Sequence, residues 1–184
     1  MRERGKSMIK KTIFYILTGL PYSGKTTLGR AISEVEEIQI IELDSVLYEM
    51  GQGLQGEYIP EHKFTLFHEE AERRAIKQLK AGISIVYDVT PFAKSKRDHL
   101  RSLAIEFCAE PIVIYVNISK EDVLRRWKEN EIKQGRLITI HSENLKYVIY
   151  NFEPPKGEEH LVFQAGENIT EWLLKNILPF ANRR

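Results

Sequence analysis

Short apolar runs alternate with longer segments of helical spacing along this chain, and that alternation restricts the fold more than any other feature. Thr12–Leu17, Gln39–Leu43, Ile83–Tyr87, Ile112–Val116 and His160–Phe163 are rich in β-branched or aromatic residues and too short for helices, so they read as strands. Between them, Phe64, Phe67, Ala71, Ala75 and Leu79 line one face of a helix that ends before Gly82. Leu100, Leu103, Ala104 and Phe107 line another. Ser119 and Asp122 have capping-box spacing ahead of Val123, Leu124 and Trp127. Ile169, Trp172, Leu173, Ile177 and Phe180 mark a C-terminal helix. Strand alternating with helix predicts an α/β fold of three layers, a parallel sheet of about five strands between two layers of helices. Ligands in such folds bind beyond the carboxyl ends of the strands, so chemistry is expected just after each one.

The chain has 184 residues, which makes a single domain the default. We expect that domain to run over 12–184, behind a mobile basic leader at 1–11. With 42% hydrophobic and 29% charged residues the composition is ordinary, which excludes disordered and collagen-like chains. Lys and Arg total 27 against 26 Asp and Glu, a formal charge of +1. A protein that binds nucleic acid mainly through phosphates would carry a larger basic excess. Cys108 stands alone, so neither an internal disulfide nor a cysteine zinc site is available, and a reducing compartment fits. Met1–Lys11 followed by Ile13–Leu20 superficially resembles a secretory signal. That apolar run is short, has no small-residue cleavage site and leads directly into Pro21-Tyr22-Ser23. No segment approaches the roughly 18–20 apolar residues a membrane span needs. The expectation is a cytoplasmic protein with no membrane contact. Gly51–Gly56 is the most flexible-looking loop, and Pro154-Pro155 breaks the chain before the last strand.

Gly19-Leu20-Pro21-Tyr22-Ser23-Gly24-Lys25-Thr26 matches GxxxxGK[ST], with the strand Thr12–Leu17 before it and the helix-compatible Thr26–Ser33 after it. Glycines let backbone N–H groups turn inward around phosphate oxygens, and the helix N-terminus adds its partial positive charge. The nucleotide-binding set is then Gly19 to Thr26 with Thr27. Lys25 would reach the β- and γ-phosphates, and the Thr26 hydroxyl would ligate magnesium. Average residue usage gives about a one in a hundred chance of such a match arising anywhere in the chain, and the strand–loop–helix context lowers it. Asp88 closes the run Ile83–Tyr87 as a Walker B carboxylate would, making it the second candidate magnesium ligand. Its plain alternative is a turn-forming Asp ahead of Pro91.

Beyond the loop, the chain resembles small P-loop kinases of the nucleoside-monophosphate-kinase fold. The likeness is to the branch that holds zeta-toxin, chloramphenicol-phosphotransferase and polynucleotide-kinase-like proteins, grouped as AAA_33. It covers nearly the whole chain from Thr12 to Ile177. It is carried by Gly19–Thr26, Asp44, Ile85-Val86-Tyr87-Asp88-Val89-Thr90, the helix around Arg126, and Phe152-Glu153-Pro154. Pro91 stands where that branch commonly has Asn. Other P-loop classes fit less well. There is no Asn-Lys-x-Asp guanine signature, Pro91 replaces the glycine of a switch, and Tyr22 and Thr26 depart from the adenylate-kinase loop.

The resemblance implies roles for further residues. Asp44, ending Ile40-Ile41-Glu42-Leu43, would accept or orient the proton of the acceptor hydroxyl. The bland reading makes it the N-cap of Ser45–Met50. A lid at about 120–140 would carry arginines that stabilise the transferred phosphoryl group, since a guanidinium fork matches phosphate oxygens. Arg126 and Arg136 are the candidates, against a solvated face balanced by Glu121, Asp122, Glu129 and Glu131. Gln164–Thr170 would border the adenine, and Arg97 would face either substrate or solvent. Cys108, Trp127 and Trp172 read as packed filler, and the five histidines lack metal-ligand spacing.

The implied activity is an ATP- and magnesium-dependent transfer of the γ-phosphate to a hydroxyl of a small molecule, catalysed by Lys25, Asp44, Arg126 and Arg136. One alternative acceptor is the 5′-hydroxyl of a nucleic acid, approached past Tyr22, Tyr58, Lys63, Lys94, Lys96 and Arg97. Another alternative is an ATP-binding or ATP-hydrolysing regulatory module that phosphorylates nothing. The region at 45–67, expected to shape the acceptor pocket, contains no signature with an evident chemical meaning.

Overall fold

The computed structural model describes residues 11–51, 58–133 and 140–181. Its elements in chain order are β1 (Ile13–Thr18), α1 (Lys25–Glu36), β2 (Gln39–Glu42), α2 (Leu43–Glu49), α3 (Glu61–Lys80), β3 (Ile85–Asp88) and α4 (Lys94–Glu106). β4 (Glu110–Asn117), α5 (Lys120–Lys133), α6 (Ser142–Asn151), β5 (Leu161–Gln164), α7 (Ile169–Asn176) and α8 (Leu178–Ala181) follow.

Among the described residues the strands form one all-parallel sheet ordered β2-β3-β1-β4-β5. β1 is central and buried throughout, which is why Ile13–Leu17 reads as continuous apolar sequence without alternation. One core packs beneath α2, α3 and α4, with Phe14, Ile16, Phe67, Ala71, Leu79 and Tyr87 at its centre. On the other face Tyr15, Leu17, Leu28, Ile32, Phe163 and Trp172 pack under α1 and α7. The three layers follow from these two faces. Gly29 brings α1 close to the sheet, because a Cβ there would stand 2.8 Å from Leu17 Cδ1 and 2.9 Å from Ile40 Cδ1.

Several sequence expectations are corrected. β3 starts at Ile85, two residues later than predicted, and Ile83 is exposed because it belongs to the turn after α3. α6 carries no prediction at all. Cys108 is exposed, since it occupies the left-handed turn (φ 57°) between α4 and β4 and points out of the core. Trp127 is only half-buried, its indole N–H donating to the Ile140 carbonyl at 3.2 Å, whereas Trp172 is in the core. Ser119 does cap α5, its Oγ accepting from the Asp122 amide at 3.0 Å. Residues 1–10 of the expected leader, and 52–56 of Gly51–Gly56, lie outside the described residues.

Candidate active site

The phosphate loop occupies the turn between β1 and α1, at the carboxyl end of the central strand. Its backbone is in the positive-φ region at Gly19 (145°), Tyr22 (62°) and Gly24 (102°), so successive amides turn toward one side. Gly19 is required by contact as well: a Cβ there would sit 2.5 Å from the Val116 carbonyl oxygen of β4. Around Gly24 the same test meets nothing within 4 Å, leaving open space beside the loop. Ser23 Oγ is buried and has no hydrogen-bond partner. α1 has no acidic residue in its first turn to neutralise its positive end.

Lys25 opens α1, is buried, and donates from Nζ to the Leu20 carbonyl at 2.8 Å. One residue on, the Thr26 hydroxyl donates to Asp88 Oδ2 at 2.6 Å. The sheet makes this possible, since β3 lies directly beside β1 and Asp88 is its last residue. Burial pushes the Asp88 carboxyl above its ordinary range, and Glu42 adds to the effect against the opposing pull of Lys25 and Thr26. A threonine hydroxyl beside a carboxylate is a hard-oxygen pair suited to magnesium. Together with the open loop and the unpartnered Ser23 hydroxyl, these residues fit a magnesium–nucleotide phosphate.

The predicted residues occupy different positions around this centre. Pro21, Tyr22, Lys25, Thr26, Asp44 and Asp88 line one cleft of about 1270 Å³ that reaches to α3, the start of α4 and α6. Thr27 is exposed on the first turn of α1 and does not line the cleft. Asp44 is not an N-cap: Glu42 holds that position of α2, and Asp44 stands exposed in its first turn on the cleft wall. Arg126 reaches back to the loop, its Nη1 donating to the Tyr22 carbonyl at 3.0 Å. A small apolar cluster of Leu20, Val123 and Leu145, with Tyr22 and Trp127 against it, joins loop, α5 and α6. Arg125 belongs to the solvated face, paired with Asp122 at 2.7 Å and Glu129 at 3.1 Å. Arg136 lies outside the described residues. Arg97 faces neither substrate nor solvent but is fully buried, paired with Glu158 at 2.6 Å.

Other residues of the site went unnoticed in the sequence. Glu42 is buried on the cleft wall, in register with Asp88, and its two carboxylate oxygens accept from Nε and Nη2 of Arg30 at 2.6 and 2.8 Å. An acid inside the apolar run Ile40-Ile41-Glu42-Leu43 was the available signal. His68 lines the cleft from α3, and burial with nearby Lys96 lowers its pKa to about 4, so its imidazole is neutral. α6 contributes Tyr147 and Tyr150, and Tyr147 meets Phe92 edge-on at 6.1 Å between ring centres.

A family model described as an AAA domain, AAA_33, matches residues 15–155. The chain belongs to that family. Among curated proteins, this AAA_33 protein is 29% identical over 143 residues to the L-seryl-tRNA(Sec) kinase of Methanococcus maripaludis, covering 76% of this chain and 52% of that one. The chain therefore spans about half the length of that relative. It is 24% identical over 176 residues to a protein of Aeropyrum pernix named as a probable adenylyl-sulfate kinase, covering 89% and 88% of the two chains. Among solved structures, the APS kinase CysC of Mycobacterium tuberculosis in complex with AMPPNP and APS superposes with TM-score 0.69 at 12% identity, over 95% of this chain and 99% of that one. A gluconokinase from Sinorhizobium meliloti gives TM-score 0.64 at 17% identity, over 95% and 94%. The fold is that of the P-loop kinases. Both of these curated relatives are named as kinases.

Proposed function

We propose that this AAA_33 protein transfers the γ-phosphoryl group of ATP, with magnesium, to a hydroxyl of a small-molecule acceptor. The observation that carries the reading is the Thr26–Asp88 hydrogen bond at the floor of one continuous cleft. It supports the reading because Thr26, Asp88, the loop residues Pro21, Tyr22 and Lys25, and Asp44 border the same space.

Phosphoryl transfer is catalysed mainly by positioning and by neutralising charge. In this reading the loop amides of Gly19–Lys25 and the α1 terminus hold the phosphate oxygens, and the Lys25 ammonium leaves the Leu20 carbonyl to neutralise the transferred group. Thr26 and Asp88 would hold magnesium, which when bound screens charge between the β- and γ-phosphates. Asp44, on the acceptor side, orients the attacking hydroxyl or takes its proton. Arg126, whose Nη1 donates to the Tyr22 carbonyl of the loop, would stabilise the transferred phosphoryl group, and that contact to the loop backbone supports the role. Arg136 has the same role from the segment after α5, and α5 with the following residues to about 140 acts as the lid of a single domain over 12–184.

A second reading puts the acceptor hydroxyl on a nucleic acid. It is favoured by Tyr22, Tyr58, Lys96 and Lys146 around the cleft and by the likeness to a kinase named for seryl-tRNA. The burial of Arg97 removes one member of the basic path expected for it.

The deciding experiment measures ATP consumption over nucleosides, sugars, aminoglycosides and short oligonucleotides, with and without magnesium. We expect acceptor-dependent ADP release from one small-molecule class and none in EDTA. Activity confined to oligonucleotides supports the second reading. Steady hydrolysis indifferent to every acceptor would remove both and leave a nucleotide-driven regulatory module.

A further inference from the structure

Arg97 heads the fully buried side chains of the described core in size, ahead of every aromatic. Its Nε and Nη2 donate to the two carboxylate oxygens of Glu158 at 3.0 and 2.6 Å. Its Nη1 donates to the carbonyl oxygens of Pro91 and Phe92, both at 3.2 Å. Glu158 also accepts from Arg101 at 2.8 Å, and these hydrogen bonds hold its carboxyl down at about 2. An ion pair this deep is rarely kept for net stability, because an apolar pair of similar volume does as well or better. What it holds in place is therefore the informative part.

It holds the segment that follows Asp88. The Pro91 oxygen accepts a second bond from the Thr18 hydroxyl at 3.0 Å, and Thr18 is the last residue before the phosphate loop. The Phe92 oxygen accepts the Glu153 amide at 2.9 Å, while Glu153 Oε2 accepts the Lys94 amide at 2.5 Å. Two consecutive carbonyls are thus fastened to the end of β1, to α4 and to the connection between α6 and β5. The segment needs fastening, since Thr90, a β-branched residue, sits at φ 52°. Val89, Thr90, Phe92 and Ala93 all line the cleft, whereas Arg97 does not.

We propose that Arg97, anchored by Glu158 and acting through the Pro91 and Phe92 carbonyls, is a positioning residue that sets the Asp88 carboxylate and the acceptor-side wall against the phosphate loop. The inference rests on reading the cleft as a phosphoryl-transfer site. Removing the knot lets the Thr90 turn relax and moves Asp88, while the loop amides and Lys25 stay as they are. Binding of the nucleotide itself is then preserved, and the contribution of magnesium to that binding is lost.

The test uses the full chain carrying Arg97→Met with Glu158→Leu, which removes both charges at similar volume, and separately Arg97→Lys and Thr18→Val. Hydrogen exchange is followed at the amides of 89, 90, 92 and 93, and ATP is titrated in EDTA and in magnesium. In the double variant, exchange at those amides should rise by about ten-fold or more, with the amides of 19–26 unchanged. ATP affinity in EDTA should stay within about three-fold, while the enhancement by magnesium falls by about ten-fold or more, as expected when support behind a metal ligand is removed. Arg97→Lys, with one donor group for three tasks, should recover part of the enhancement. Thr18→Val should raise exchange at the same amides with no buried charge disturbed. Unchanged exchange and an unchanged magnesium enhancement in the double variant would make the pair a stability element only and overturn the proposal. If the double variant fails to fold, Thr18→Val and Arg97→Lys decide it by the same two readouts. Should magnesium leave ATP affinity untouched in the unmodified chain, the phosphoryl-transfer reading falls instead, and exchange at 89–93 still decides whether Arg97 holds that segment.

Discussion

The two ends of the cleft are built on different physics. At the end proposed for the phosphates, the framework is backbone: positive-φ turns at Gly19, Tyr22 and Gly24, and a helix terminus without a neutralising acid. At the end proposed for the acceptor, the wall is assembled from side chains of α2, α3, α4 and α6, and the residues that hold it are distant in sequence. Asn144 illustrates the second kind. From α6 its amide donates to the Ile59 carbonyl at 3.0 Å and accepts the Ile59 amide at 3.2 Å, across 85 residues of chain. The contrast teaches that the first end can vary little without losing its task, whereas the second can be remodelled for a new acceptor by side-chain exchange.

The largest effect should come from the phosphate end. Lys25→Met removes the one loop cation and should slow transfer by about a thousand-fold, close to 4 kcal/mol of barrier, in a single-turnover assay with labelled ATP. A loss of under ten-fold would mean the backbone alone carries that end. Asp44→Asn probes the other end. If Asp44 takes the acceptor proton, transfer should fall by about a hundred-fold while ATP affinity by titration is unchanged. Equal losses in both measurements would erase the division between the two ends.

Structural support should follow the same division at smaller scale. Asn144→Ala leaves the Ile59 amide and carbonyl without partners in a buried position. A loss of about 2 kcal/mol in urea unfolding is expected, with acceptor turnover affected more than ATP binding. Loss of ATP binding in step with turnover would show that α6 supports both ends alike.

Legibility in the sequence follows from the same contrast. The phosphate loop was readable because its motif is contiguous: a strand, a turn with glycines at two positive-φ positions and a helix, all within Ile13–Glu36. The five strands were readable because each is a short apolar run carrying β-branched or aromatic residues. What stayed hidden depends on pairing at long range. Glu42 looked like an ordinary strand residue until Arg30, twelve positions earlier, proved to lie beside it. Arg97 could be assigned to neither substrate nor solvent because its partner Glu158 is 61 residues away. α6 escaped because Leu145, buried beneath Val123, and Asn144 are its buried residues, and such a narrow face leaves a weak apolar period.

The smallest effect tests how tightly the phosphate end is tied to the sheet. Gly29→Ala adds a methyl group that meets Leu17 and Ile40 at 2.8 and 2.9 Å, both pressed against the sheet face under α1. Overpacking of this kind costs about 1–3 kcal/mol, and replacing a mid-helix glycine returns about 1 kcal/mol of helix propensity. A net loss of about 1 kcal/mol in thermal unfolding is the expected balance. α1 must shift outward to accept the methyl, and Thr26 rides on its first turn, so the hydrogen bond to Asp88 should lengthen with it. Magnesium-dependent ATP affinity should weaken by a few-fold in consequence, about what a fraction of one charge-assisted hydrogen bond provides. A variant more stable than the parent, with magnesium dependence intact, would show that Leu17 and Ile40 yield freely and that the glycine is not what fixes α1 on the sheet.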